Sequence, residues 1–184
     1  MFAYPYQILA KKLAADIPEL RELDWYLQQD STTDKNAWLF GAPCLFLEFQ
    51  IVEGPRDHGN KIQSALVDVS VHLLTENVRD KGGEIMKKSG TIQHPVLFDK
   101  VYKCLHGFSS KLSYLDEFAD LAGTDQDQRV FNSLSRVNIV NPHAIRKSFI
   151  KSIQRFRCVV YDHAAGKQYT SPTPGLEIGV TVTL

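Results

Sequence analysis

No run in this sequence approaches the ~18 consecutive apolar residues of a membrane-spanning helix. The opening Met1-Phe2-Ala3-Tyr4-Pro5 also lacks the basic start and apolar stretch of a signal peptide, so a chain made and kept in a cytosol is expected. Net charge is missing too. Lys plus Arg and Asp plus Glu stand at 21 each, which leaves no whole-molecule field to draw the protein to nucleic acid or an anionic membrane; any such contact needs a local patch. Cysteine is scarce, and Cys44, Cys104 and Cys158 lie far apart in apolar runs, where small core thiols fit better than disulfides or metal ligands.

Catalytic signatures are absent as well. None of the six histidines is paired at ligand spacing such as H-x-x-x-H, and no cysteine joins them. Asp57-His58 and Asp162-His163 set an acid beside a base, but adjacent strand or turn residues point apart, and no G-x-S-x-G supplies a nucleophile. Ala164-Ala165-Gly166-Lys167-Gln168-Tyr169-Thr170 imitates the end of a phosphate loop without its first glycine, with Gln168 in place of the needed hydroxyl and with no helix following. No catalytic residue, cofactor or metal is expected, and the chain reads as a structural assembly protein.

What is there is regular patterning. Tyr6, Leu9, Ala10, Leu13 and Ile17 recur at helical spacing after Pro5 and stop at Pro18. Leu23, Trp25 and Leu27 then alternate with polar residues as in a strand, with a helix over 19–29 as the rival. After a polar loop, Cys44 to Val52 is a near-continuous apolar run bounded by Pro43 and Gly54-Pro55, the pattern of a central strand covered on both faces. Residues 53–60 read as a turn-rich connection. Over 61–74, Val67, Val69, Val71 and Leu73 face the core, while Asp68, Ser70 and His72 face elsewhere. Leu97, Phe98, Val101, Cys104 and Leu105 form a helical stripe after Pro95, with Gly107 placed as a left-handed cap. Leu112, Leu115, Phe118 and Leu121 are spaced for a weakly docked short helix. Residues 130–140 and 149–161 are β-rich, separated by Asn141-Pro142-His143, and 166–175 is a loop. Leu176, Ile178, Val180, Val182 and Leu184 alternate as a last strand, over 176–184, that must add to a sheet edge. The order predicts one α+β domain over 1–184, a mostly antiparallel sheet with an N-terminal and a central helix packed on one face.

Two charged segments are candidate contact surfaces. Arg146, Lys147, Lys151, Arg155 and Arg157 form a basic stretch with no acid among them, and along a strand Lys151, Arg155 and Arg157 share one face. A solvated face and a functional surface are both open readings of this row. Asp116, Glu117, Asp120, Asp125 and Asp127 form its acidic counterpart, as in head-to-tail contact between identical subunits. Residues 77–93, with Gly82, Gly83 and Gly90 beside Lys81, Lys87 and Lys88, read as a long mobile loop.

The order of these elements has a family likeness. A Pro-introduced strand Ala42-Pro43-Cys44-Leu45-Phe46-Leu47-Glu48-Phe49, the alternating Val67-Asp68-Val69-Ser70-Val71-His72-Leu73, a helix ending Leu105-His106-Gly107-Phe108 and a late strand Phe156-Arg157-Cys158-Val159-Val160-Tyr161-Asp162 resemble the tail terminator, or tail completion, proteins of long-tailed phages and prophages over about residues 5–162. Residues 166–184 have no counterpart. The resemblance implies an α+β subunit of a homo-oligomer, a hexameric ring that caps the tail tube protein and meets the head connector protein. Such a protein belongs to the host cytoplasm during assembly and to the virion tail afterwards, with no catalytic residue. Lys151, Arg155 and Arg157 would line the lumen or a subunit seam, with Asp116, Glu117 and Asp120 opposite, and Lys81, Lys87 and Lys88 would touch the tube. A compact chain of this length has a radius of gyration of about 16 Å, so six touching copies leave a hole about one subunit wide. DNA passes such a hole without being held tightly. The other class of function is a monomeric cytosolic binding module or small enzyme with an unrecognised site.

Overall fold

The structure is a computed structural model, and it describes residues 1–28, 41–58, 62–76, 94–115, 129–144 and 149–162. Helix α1 (Ala3–Asp16) buries Pro5, Ile8, Leu9 and Leu13 and ends where the Ile17 amide donates to the Leu13 carbonyl, just before Pro18. Proline in a first turn removes no intrahelical bond, so Pro5 starts this helix and Pro18 stops it. Strand β1 (Glu22–Trp25) runs parallel to β2 (Cys44–Asp57), pairing Glu22 with Cys44 and Trp25 with Leu47. Residues 22–25 therefore form a strand, shorter than the alternation over 23–27 suggests, and not the rival helix.

Strand β2 is antiparallel to β3 (Gln63–Glu76), and β3 is antiparallel to β7 (Phe149–Asp162) along its whole length, from Gln63 opposite Asp162 to Glu76 opposite Phe149. Between them in sequence come α2 (His94–Leu105), β4 (Ser110–Lys111), a 3-10 turn over Leu112–Tyr114, β5 (Arg129–Phe131) and β6 (Ser135–Ala144). Among the described residues these seven strands make one mixed but mostly antiparallel sheet in the order β1-β2-β3-β7-β5-β4, and β6 also pairs with β7. Thus β5 and β6 share one edge of β7, one after the other. The fold is α+β.

The core follows from alternation. Leu45 and Leu47 of β2, Val67, Val69, Val71 and Leu73 of β3, and Phe156, Cys158 and Val160 of β7 cluster with Ile8, Leu9 and Leu13 of α1 and Leu97, Val101 and Leu105 of α2. Gln154 reaches from β7 to donate to the Phe98 carbonyl at 2.6 Å, and Lys100 ion-pairs with Glu19, so polar contacts also tie α2 in place. Phe2, Trp25 and Phe49 stack at 5.1–5.3 Å where α1, β1 and β2 meet. Gly107 follows α2 at φ +82°, the left-handed backbone expected of its cap. Cys44, Cys104 and Cys158 are all buried, and burial pushes the thiols of Cys104 and Cys158 up to about 12.

Three expectations change in detail. Strand β2 is buried on both faces only over Cys44–Leu47, and residues 50–58 are exposed. Its strand geometry continues through Gly54-Pro55 to Asp57 with two register shifts, where a turn was expected; bulges let an edge strand accommodate both residues. The β-rich stretch over 130–140 is split by Asn132–Leu134 into β5 and β6, and β6 runs on through Pro142 with another register shift. Leu112–Tyr114 form a 3-10 turn, and the rest of the short helix expected there, with Phe118 and Leu121, lies outside the described residues. The segments 77–93, 116–128 and 163–184, with Lys81, Lys87, Lys88, Asp116, Glu117, Asp120, Asp125 and Asp127 among them, lie outside the described residues.

Candidate functional site

The basic row occupies the sheet face opposite the main core. Because β2, β3 and β7 are in register, side chains on this second face fall into rows across three strands: Cys44, Leu74 and Lys151; Phe46, His72 and Ile153; Glu48, Ser70 and Arg155; Gln50, Asp68 and Arg157. Lys151, Arg155 and Arg157 therefore do share a face, and each has a partner within the chain. Arg157 grips the Asp68 carboxylate with two nearly parallel bonds of 2.7 and 3.0 Å, the bidentate geometry that a planar guanidinium favours. The Arg155 Nε–H points at the Ser70 hydroxyl at 3.4 Å. Lys151 is buried and donates to the Tyr26 hydroxyl at 3.2 Å.

Tyr26 joins the upper rows. Its ring stacks on His72 with centroids 3.8 Å apart and planes 15° from parallel, and the His72 Nε2 lies 3.0 Å from Glu48. An accepting carboxylate at that distance assigns the proton to Nε2. Cys44, Phe46 and Leu74 pack beneath Tyr26 as a small apolar patch. Asp68, Ser70 and His72 are all buried, so the β3 row of this face is internal, while Glu48 and Arg157 on the flanking strands stay partly exposed. Sequence reading had put these three residues off the core face but not in burial. A polar alternate row within a strand that is otherwise apolar is the available signal, whereas nothing local marks Tyr26 as the ring that stacks on His72.

The Asp68 carboxylate lies only 6% exposed against a guanidinium that is 41% exposed, and this asymmetry orders the expected effects of charge reversal. Arg157→Glu sets two carboxylates face to face with one of them buried, and Arg155→Glu sets a carboxylate beside a hydroxyl. Thermal melting should show the larger fall for Arg157→Glu, and the swapped pair Asp68→Arg with Arg157→Asp should recover part of it. Equal melting temperatures for the two single variants would show that the bidentate pair contributes nothing.

Two other constellations resemble chemistry. His94 Nε2 lies 2.9 Å from the Ser152 hydroxyl and its Nδ1 2.8 Å from the Thr75 hydroxyl, the spacing of a base with its nucleophile. Ser152, however, is fully buried on the central strand β7 and Thr75 stands where an orienting carboxylate would be needed, so the trio ties β3, α2 and β7 together. Burial lowers the His94 imidazole from its usual 6.5 to about 4, and the positive end of α2 acts in the same direction. At the far end of the β2–β3 hairpin His58 Nε2 meets Ser64 at 2.6 Å in a cleft of about 290 Å³ shared with Glu53, Arg56 and Tyr161. Glu53 is already paired with Arg56 at 2.8 Å. A second, open cleft of about 370 Å³ is lined by Ser109, Ser110, Lys111, Ser113, Tyr114 and Arg129. Among the described residues no group of three His, Cys, Asp or Glu side chains could hold a metal ion, and no helix is long and apolar enough to cross a membrane.

No protein-family model and no curated protein sequence matches this chain.

Proposed function

We propose that this protein is a ring-forming tail terminator of a phage or prophage, with both helices on one face of its sheet, six copies capping the tail tube and meeting the head connector. The shared core of α1, α2 and the inner rows of β3 and β7 supports the helix placement. One observation carries the functional reading. From Gln50 onward β2 is the exposed edge of the sheet, still paired with β3, with Ile51 and Val52 each 43% exposed, while the charged groups of the second face are engaged inside the subunit. Apolar side chains on an exposed edge strand suit contact with a neighbouring subunit, and a hidden Ser152 does not suit turnover.

Sedimentation at high protein concentration should find particles of six chain masses. Ile51→Asp should shift them toward one chain mass while circular dichroism stays unchanged, because this edge lies outside the core. A strictly monomeric protein that also fails to join purified tail tubes would sink the proposal.

A further inference from the structure

Among the described residues the edge strand β6 is open on its outer side, in a way that fits one particular occupant. Every residue over 137–143 is exposed, including Val137, Ile139 and Val140 at 46%, 40% and 40%. On its inner side β6 pairs with β7, with Ile139 opposite Gln154 and Val140 opposite Ile153. On its outer side two local bonds occupy backbone groups that a further strand would use. The Ile139 amide donates to the Asn138 side-chain oxygen at 2.7 Å, and the Asn141 carbonyl accepts from His143 Nδ1 at 3.2 Å. Such side-chain bonds are the usual substitute for a missing ladder partner. Ile139 and Asn141 alternate on the same side of the strand and both keep an N–H and a C=O, while Pro142, which has no N–H, falls within the second register shift.

We infer that residues 176–184 of the same chain add to this edge as an eighth strand beside β6. Leu176, Ile178, Val180, Val182 and Leu184 give that segment one apolar and one polar row without proline, the pattern of an added strand. Reach is sufficient. The connector of residues 163–175 spans up to about 45 Å when extended, and β6 begins opposite Arg157, five residues before the end of β7, which is roughly 17 Å along a strand. Tethering at this range gives the chain's own segment a high effective concentration over that of another copy.

The rival edge is the outer part of β2, beyond Trp25, where β1 stops pairing. It is guarded. A proline and two register shifts occur on both edges, but Glu53, Arg56 and Asp57 add charge along the β2 edge, and charges are a device that blocks strand addition. On β6 the only charged residue is Arg136, whose guanidinium lies 3.7 Å over the Tyr102 ring.

Residue-resolved hydrogen exchange on the full chain tests this inference independently of ring formation. The Ile139 and Asn141 amides should exchange at least about a hundredfold more slowly than in an unpaired chain, to the same degree in dilute and concentrated protein. Asn138→Ala should leave the protection in place, since the ladder and not the side chain supplies it. Paired Val180→Pro and Val182→Pro should abolish it while the β3–β7 amides stay protected. Where prolines disturb the whole fold, Val180→Asp with Val182→Asp serves as the second variant. Unprotected Ile139 and Asn141 would overturn the inference. So would protection that disappears on dilution, which assigns the strand to another copy, or prolines that deprotect residues 48–57 instead.

Discussion

Acidification from pH 7 to pH 4 is expected to cost this fold about 3 kcal/mol through His94 alone. In the folded protein its imidazole titrates at about 4, and unfolding returns it to the ordinary 6.5. Between those values the unfolded chain binds a proton that the folded chain refuses, so stability is fully present above pH 6.5 and drains away as pH falls toward 4. Hydrogen bonding does not drive the loss, because both hydroxyl partners can accept from an imidazolium; the cost is taking a charge out of water. Asp16 and Glu19 are held below the usual carboxylate range by bonds from Lys12 and Lys100, and their contributions fade at the acid end of the same window. Urea denaturation at pH 7, 5.5 and 4 on the parent and on His94→Gln separates the two. An amide at position 94 can bond both hydroxyls without titrating, so the variant should lose stability less steeply between pH 6.5 and 4. Parallel pH profiles would show that His94 is solvated in solution and that the trio does not hold.

Two truncations on one strand should differ several-fold. Leu47→Ala removes a side chain that is 0% exposed in the main core and should cost about 2–5 kcal/mol, roughly 10 °C in Tm for a chain of this size. Val52→Ala, five residues along β2 on the exposed edge, should stay within about 0.5 kcal/mol. Differential scanning calorimetry decides between them. Comparable losses would mean that the edge is packed in the free protein, and its role as a contact surface would fall with that result.

Local pattern carried much of this architecture. The helical spacing of Leu9, Leu13 and Ile17 and the period-two row Val67, Val69, Val71 and Leu73 identify residues that are buried together. Period reports which face turns inward, and these residues obey it. What pattern could not report is how far a neighbour extends. The apolar run over 44–52 looks uniformly buried in sequence, yet β1 pairs with only its first four residues. The remainder is left outside because cover ends there. Likewise the shared face of Lys151, Arg155 and Arg157 was legible, since alternation within a strand is local. Their partners Tyr26, Ser70 and Asp68 are 85 to 125 residues away in sequence, and no short-range rule connects them. His94 shows the same limit. It borders a proline like a turn residue, and only the meeting of β3 and β7 supplies its two hydroxyls.

The pairing of β3 with β7 also sets a timetable for folding. Glu76 meets Phe149, 73 residues later, and Gln63 meets Asp162, 99 residues later. Closing spans of that length before any long-range contact rewards the chain places folding toward the slow end for a domain of this kind. During synthesis at about 5–20 residues per second, β3 waits roughly 4–20 s for its mate. For that interval the β2–β3 hairpin stands with the apolar row Val67, Val69, Val71 and Leu73 lacking its α2 and β7 partners, next to an unfilled backbone edge. A nascent chain in this condition is a chaperone client and an aggregation hazard. Yield on expression should therefore respond more to slowed translation and chaperone supply than the stability of the finished fold would suggest.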